Sequence, residues 1–169
     1  MDPLPHRIAA SIPSLDNLYH RLMLVVGPPR SGKTQALRAL AEEHDWPVVN
    51  VGLSLSERLL ELPPSRRAVN APRFLHDLVD DRAGDVLLLD NTELLFSTGL
   101  ELEPLHLLQA TSRHRATVAS WAGRYDGKRL TYGDASHPES RRYENPDAVI
   151  VSALAGEGPA LPATRPRSP

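Results

Sequence analysis

Residues Gly27-Pro28-Pro29-Arg30-Ser31-Gly32-Lys33-Thr34 combine two glycines, a lysine and a hydroxyl at the spacing G-x-x-x-x-G-K-[ST], a pattern suited to phosphate chemistry. Glycines at both ends let the backbone curl until successive N–H groups point inward, at the positive end of the helix that follows. Lys33 then brings a mobile charge to the β- and γ-phosphates of a nucleotide, and the Thr34 hydroxyl is placed to coordinate Mg²⁺. The candidate binding set is Gly27, Pro28, Pro29, Arg30, Ser31, Gly32, Lys33, Thr34 and Gln35, with ATP and Mg²⁺ as the expected ligands. An ordinary Gly/Pro turn before a helix is the plain alternative.

The segment Asp85-Val86-Leu87-Leu88-Leu89-Asp90 supplies a second element of such a site. An apolar strand that ends in an acid delivers its carboxylate to the carboxyl edge of a sheet, where open α/β folds bind ligands. Asp90 is therefore the expected metal-side acid beside Thr34. The next residue, Asn91, stands where many ATPases of this kind carry a water-polarising glutamate, and an amide cannot accept that proton. Glu93, two positions on, is the candidate base; its alternative role is to line the start of the Leu94-Leu95-Phe96 turn. In the run Ala116 to Trp121, Ser120 is the candidate polar contact to a γ-phosphate, with Thr117 behind it; simple burial by hydrogen bonding is the alternative.

Arginines are the third group. The stretch from His76 to Gln109 carries eight acids against one arginine, and the stretch from Ala110 to Asn145 carries seven bases against four acids. This asymmetry fits head-to-tail self-association, in which one subunit's basic surface meets the next subunit's acidic edge. Arg113 and Arg115 rank first as groups that stabilise charge on a neighbour's γ-phosphate; charge complementing a helix end is their alternative. Arg141-Arg142-Tyr143 and Lys128-Arg129 are weaker candidates for a partner or DNA backbone contact. The seven histidines form no i, i+4 pair with a third ligand, so no histidine metal site is expected.

These groups must be positioned by the elements around them. Short, almost wholly apolar runs at Leu22 to Val26, Val48 to Val51, Val86 to Leu89, Ala116 to Trp121 and Ala148 to Val151 read as parallel strands covered on both faces. Helical patterns separate them: Lys33 to His44, Ser56 to Leu62, Pro72 to Arg82 with Pro72 in a first turn, and Pro104 to Arg113. The expected fold is a three-layer α/β P-loop domain of the class with an extra strand between the two motif strands, with a mainly parallel five-stranded sheet in the order 5-1-4-3-2. Residues 1–13 form an N-terminal extension before a short helix around Ser14 to His20. Residues 14–154 form the domain, with an inserted loop or hairpin at about 124–143, and residues 155–169 form a Pro-rich tail expected to be disordered.

Composition narrows the function classes. A formal charge of -2 over 169 residues provides no general field for nucleic acid or anionic lipid. The absence of cysteine excludes a disulfide framework and thiol chemistry and suits a cytoplasmic setting. No apolar run approaches the roughly 20 residues of a membrane helix, and the first eleven residues lack the apolar centre of a signal peptide. Few aromatic residues argue against a base-stacking platform.

The loop at Gly27 to Thr34, the run Leu87-Leu88-Leu89-Asp90-Asn91-Thr92-Glu93-Leu94-Leu95-Phe96, the Leu107-Leu108-Gln109 to Arg115 helix end, and Leu130-Thr131-Tyr132 with His137-Pro138-Glu139 and Arg141-Arg142-Tyr143 together resemble the BrxF family. These are small P-loop proteins of type 3 BREX (bacteriophage exclusion) systems. The resemblance spans roughly Leu15 to Leu154. It implies an AAA-like ATPase module working beside a larger BREX ATPase, a phosphatase-like protein and a DNA methyltransferase to exclude phage DNA; whether this chain itself touches DNA is left open by the sequence. Two rivals remain open at the level of sequence: a small-molecule kinase, whose arginine-rich lid Arg124 to Arg142 imitates, and a nucleotide-gated scaffold without turnover, which Asn91 keeps in play.

Overall fold

The computed structural model of the chain describes residues 2–134, 136–154 and 158–162. Five parallel strands form the main sheet: β1 (Leu22–Gly27), β2 (Val48–Asn50), β3 (Val86–Asp90), β4 (Ala116–Tyr125) and, after a hairpin, β7 (Val149–Ser152). Their spatial order is β2-β3-β4-β1-β7, with every neighbouring pair parallel. Counting these five alone, this is the 5-1-4-3-2 arrangement expected from the sequence, with Leu22–Gly27 inside it.

Helices cover both faces. On one side α1 (Leu4–Ser11) and α2 (Lys33–His44) pack Ile8, Leu37 and Leu40 against Met23, Val25, Val86, Leu88, Val118 and Val149. On the other, α3 (Val51–Leu60), α4 (Pro64–Asp80) and α5 (Pro104–Thr111) bring Leu55, Leu75 and Leu108 onto Leu24, Leu87, Leu89 and Trp121. Both faces of β1 are buried, so its sequence is apolar without alternation, as in other two-sided parallel sheets.

Several boundaries differ from the sequence reading. The first helix covers Leu4–Ser11, followed by a 3-10 turn at Ile12–Leu15, in place of a helix near Ser14 to His20. Pro5 sits in the first turn, where a missing N–H costs nothing, and Arg7 Nη1 donates to the Ser152 carbonyl at 2.8 Å, tying the extension to β7. Helix α3 starts five residues early because Asn50 caps it, accepting from the Leu53 N–H at 3.0 Å. Pro72 lies inside α4, which begins at Pro64. Burial of Ala71, Leu75, Leu78 and Val79 along one stripe outweighs the lost backbone bond, a cost of about 3 kcal/mol or more.

The expected insertion is a hairpin. β4 runs four residues past Trp121 and continues as an antiparallel sheet with β5 (Arg129–Tyr132) and β6 (Arg141–Glu144). Of the tail expected to be disordered, 155–157 and 163–169 lie outside the described residues. The intervening stretch is placed: Ala160 forms an antiparallel bridge to Ile150, with both backbone bonds at 2.9 Å, so this part of the tail covers the free edge of β7.

Candidate functional site

Strand alternation decides which side chains meet at the carboxyl edge. In β3, Val86 and Leu88 face α2, which puts Asp90 on the same side; in β4, Ala116 and Val118 do the same for Ser120. The loop between β1 and α2 arches over this side, with Arg30 at φ 64° and Gly32 at φ 93°. Gly32 immediately precedes α2, and a glycine takes that left-handed turn without strain.

Lys33 is buried, 8% exposed, and turned back on its own loop. Its ammonium donates to the carbonyls of Gly27 (2.8 Å) and Pro28 (2.6 Å) and to Ser31 Oγ (3.3 Å). Burial lowers its pKa from the ordinary lysine value, and the nearby carboxylates of Glu93 and Asp90 oppose that shift. Thr34 Oγ1 donates to Asp90 Oδ1 at 3.2 Å, joining residues 56 apart in sequence. The loop lysine, the helix-start hydroxyl and the strand-end acid therefore converge.

Among the described residues two buried oxygens at this end of the sheet have no hydrogen-bond partner: Glu93 Oε2 and Ser120 Oγ, the latter on a residue 2% exposed. The Thr92 hydroxyl donates to the Ser120 carbonyl at 2.6 Å, which holds the 3-10 turn Thr92–Phe96 against β4. Buried polar atoms are nearly always paired. A carboxylate oxygen that accepts, close enough to act on the Lys33 ammonium, and a hydroxyl that donates from the same face of the sheet suit a ligand carrying water and phosphate oxygens. Among the described residues no three His, Cys, Asp or Glu side chains gather as a metal cage. A cation here would draw on Thr34, Asp90 and ligand oxygens, the mixed coordination Mg²⁺ commonly takes with phosphates.

Asn91 is turned away from that point. Its backbone is left-handed at φ 55°, its amide donates to Asn50 Oδ1 at 2.9 Å, and its carbonyl accepts from the Gly52 N–H at 2.9 Å. Arg113 and Arg115 precede β4 and stand at the amino edge of the sheet, opposite the loop. Arg113 is exposed, its guanidinium 5.2 Å from the Tyr19 ring centre. Arg115 is engaged within its own chain, donating to the carbonyl of Val79 in the last turn of α4 and to those of Arg82 (2.6 Å) and Gly84 (3.3 Å) just beyond it. Of these two candidates for action on a neighbour, Arg113 alone has a guanidinium without an ion pair or hydrogen bond among the described residues, its contact being with the Tyr19 ring.

Sequence reading missed a cleft of about 870 Å³ between Pro28-Pro29 and the β4-β5-β6 sheet. Tyr132 borders it, stacked on Phe96 with ring centres 3.5 Å apart. Burial raises the Tyr132 pKa, and the charges of Glu93 and Glu139 add to the rise. Gly123 makes the fold possible here, since a side chain at that position would collide with the Thr131 carbonyl, which also accepts from Trp121 Nε1 at 3.1 Å. The alternation in Arg129-Leu130-Thr131-Tyr132, with only Leu130 fully buried, was the available signal.

Among the described residues no helix is long and apolar enough to cross a membrane. No protein-family model and no curated protein matches the chain.

Proposed function

We propose that this chain is a Mg-ATP-binding module of the P-loop, AAA-like class that hydrolyses ATP slowly when alone. The supporting observation is the Thr34 to Asp90 hydrogen bond at the mouth of a loop that already encloses the Lys33 ammonium. Lys33 exchanges its own-loop carbonyls for β- and γ-phosphate oxygens. Thr34 and Asp90 hold the cation side, Asp90 through water. Mg²⁺, when bound, offsets charge on the β- and γ-phosphates. Ser120 donates to the terminal phosphate, and Glu93 orients the attacking water and accepts its proton.

The resemblance to the BrxF family supplies the setting: a cytoplasmic phage-defence assembly with a larger ATPase, a phosphatase-like protein and a methyltransferase. Self-association accompanies this reading, with Arg113 offered from the amino edge of one subunit to the carboxyl edge of the next. Titration calorimetry with Mg-ATP tests the central claim. Wild type binds, and Lys33→Ala loses binding while its circular dichroism stays unchanged, because the removed side chain serves only the loop. Equal affinity in the two proteins overturns the site. For self-association, mixing Arg113→Ala with Lys33→Ala restores hydrolysis if the arginine acts on a neighbour, whereas no recovery, with monomers in sedimentation, rejects it.

A further inference from the structure

The β4-β5-β6 sheet aligns Arg124, Thr131 and Arg142 as direct cross-strand partners. Residues in one such row share a face, so the two guanidinium groups flank Thr131 on strands whose backbones lie about 5 Å apart at each step. Two positions along the same face, Arg129 is engaged with Glu144 at 2.7 Å. Among the described residues neither Arg124 nor Arg142 forms an ion pair. Both line the 870 Å³ cleft together with Arg141, and Pro28-Pro29 of the phosphate loop forms part of its lining. Asp134 is the single acid among the lining residues. The cleft is thus a cationic chamber that opens off the loop itself.

We propose that this cleft is a second anion site, in which Arg124 and Arg142 take the outer phosphates of a polyphosphate-bearing ligand. Guanidinium forks match phosphate oxygens in pairs, and the Thr131 hydroxyl between them, which donates to the Arg124 carbonyl at 3.4 Å, exchanges that long bond for a phosphate oxygen. The chain of phosphates belongs either to the nucleotide whose inner phosphates the loop holds or to a separate phosphorylated molecule in the cleft. The first source rests on the nucleotide reading above; the second does not.

The test uses the full chain and three probes: Mg-ADP, the Mg complex of β,γ-imido-ATP, and inorganic tripolyphosphate. Wild type is compared with R124Q, R142Q and the double variant. Both side chains are exposed, so the fold is expected to persist by circular dichroism, and each single variant serves if the double does not fold. R38Q on exposed α2 surface is the control. If the nucleotide is the source, the variants lose about tenfold or more in imido-ATP affinity and keep ADP affinity, as expected for a lost charged hydrogen bond. If the source is separate, both nucleotides bind as in wild type, while tripolyphosphate binding to ADP-loaded protein falls by a similar factor. Either result supports the site. Unchanged affinity for all three probes in R124Q and R142Q overturns it, as does an equal loss in R38Q. Should wild type bind no nucleotide, the proposed function fails by itself. The cleft is then judged on tripolyphosphate: loss in the arginine variants with retention in Lys33→Ala supports it, and no binding by wild type rejects it.

Discussion

The Asn91 amide donates to Asn50 Oδ1 at 2.9 Å, joining the residue after the strand-end acid of β3 to the residue that caps α3. The bond lies on the β2 side of the site, and the left-handed backbone at φ 55° is a conformation asparagine tolerates better than most residues. A glutamate here loses the amide bond and strains the backbone. Asn91→Glu is expected to destabilise the fold by about 1 to 3 kcal/mol without raising ATP hydrolysis. Urea unfolding and a phosphate-release assay check the two halves; a faster enzyme would mean that the side chain swings into the site.

Among the described residues Glu93 Oε2 is buried without a hydrogen-bond partner, and its carboxylate acts on the Lys33 ammonium. In the proposed mechanism, removing its charge while keeping its shape takes away the base and leaves the phosphate contacts. Glu93→Gln is expected to lower single-turnover hydrolysis by about 10² to 10⁴ and to leave Mg-ATP affinity unchanged. If hydrolysis persists unchanged, the base lies elsewhere; if wild type binds Mg-ATP without measurable hydrolysis, the nucleotide-gated scaffold replaces the ATPase.

Arg115 and Arg113, two residues apart, are expected to separate cleanly. Arg115→Ala leaves the carbonyls of Val79, Arg82 and Gly84 without their cationic donor and is expected to destabilise the fold by about 2 kcal/mol. Arg113→Ala, exposed above Tyr19, changes stability by less than about 0.5 kcal/mol. Denaturant midpoints measured side by side decide this, and a neutral Arg115→Ala contradicts the structural role.

Tyr143 is half-buried against Trp121, with ring centres 5.9 Å apart, and its hydroxyl faces Glu103 Oε2 at 3.5 Å. Burial first, and the Glu103 charge second, push its pKa from 10.0 up to about 12. The folded state thus favours the protonated phenol. That contribution to stability is full below pH 10 and is lost as pH rises through about 12. Tyr143→Phe, which does not titrate, is expected to lose less stability over that window; identical pH profiles for the two proteins would reject the assignment.

The strands, and the meeting of Thr34 with Asp90 at the carboxyl edge of the sheet, were readable in the chain because both depend on local pattern. Apolar runs without alternation specify strands buried on two faces. The loop from Gly27 to Thr34 carries its own turn residues, and strand parity alone sends Asp90 and Ser120 to the side of α2. Helix boundaries were less readable where packing outweighs propensity: the stripe Ala71, Leu75, Leu78, Val79 carries α4 through Pro72, and Asn50 starts α3 ahead of its apolar periodicity. Only the tertiary structure decided the uses of Asn91 and Arg115. Their partners, Asn50 and the end of α4, lie far away in sequence, and a hydrogen bond between distant segments leaves no local pattern. The arginine cleft depends on the same kind of information. Arg124 and Arg142 become neighbours across Thr131 through the register of three antiparallel strands, a register that Gly123 permits by letting β4 approach the Thr131 carbonyl.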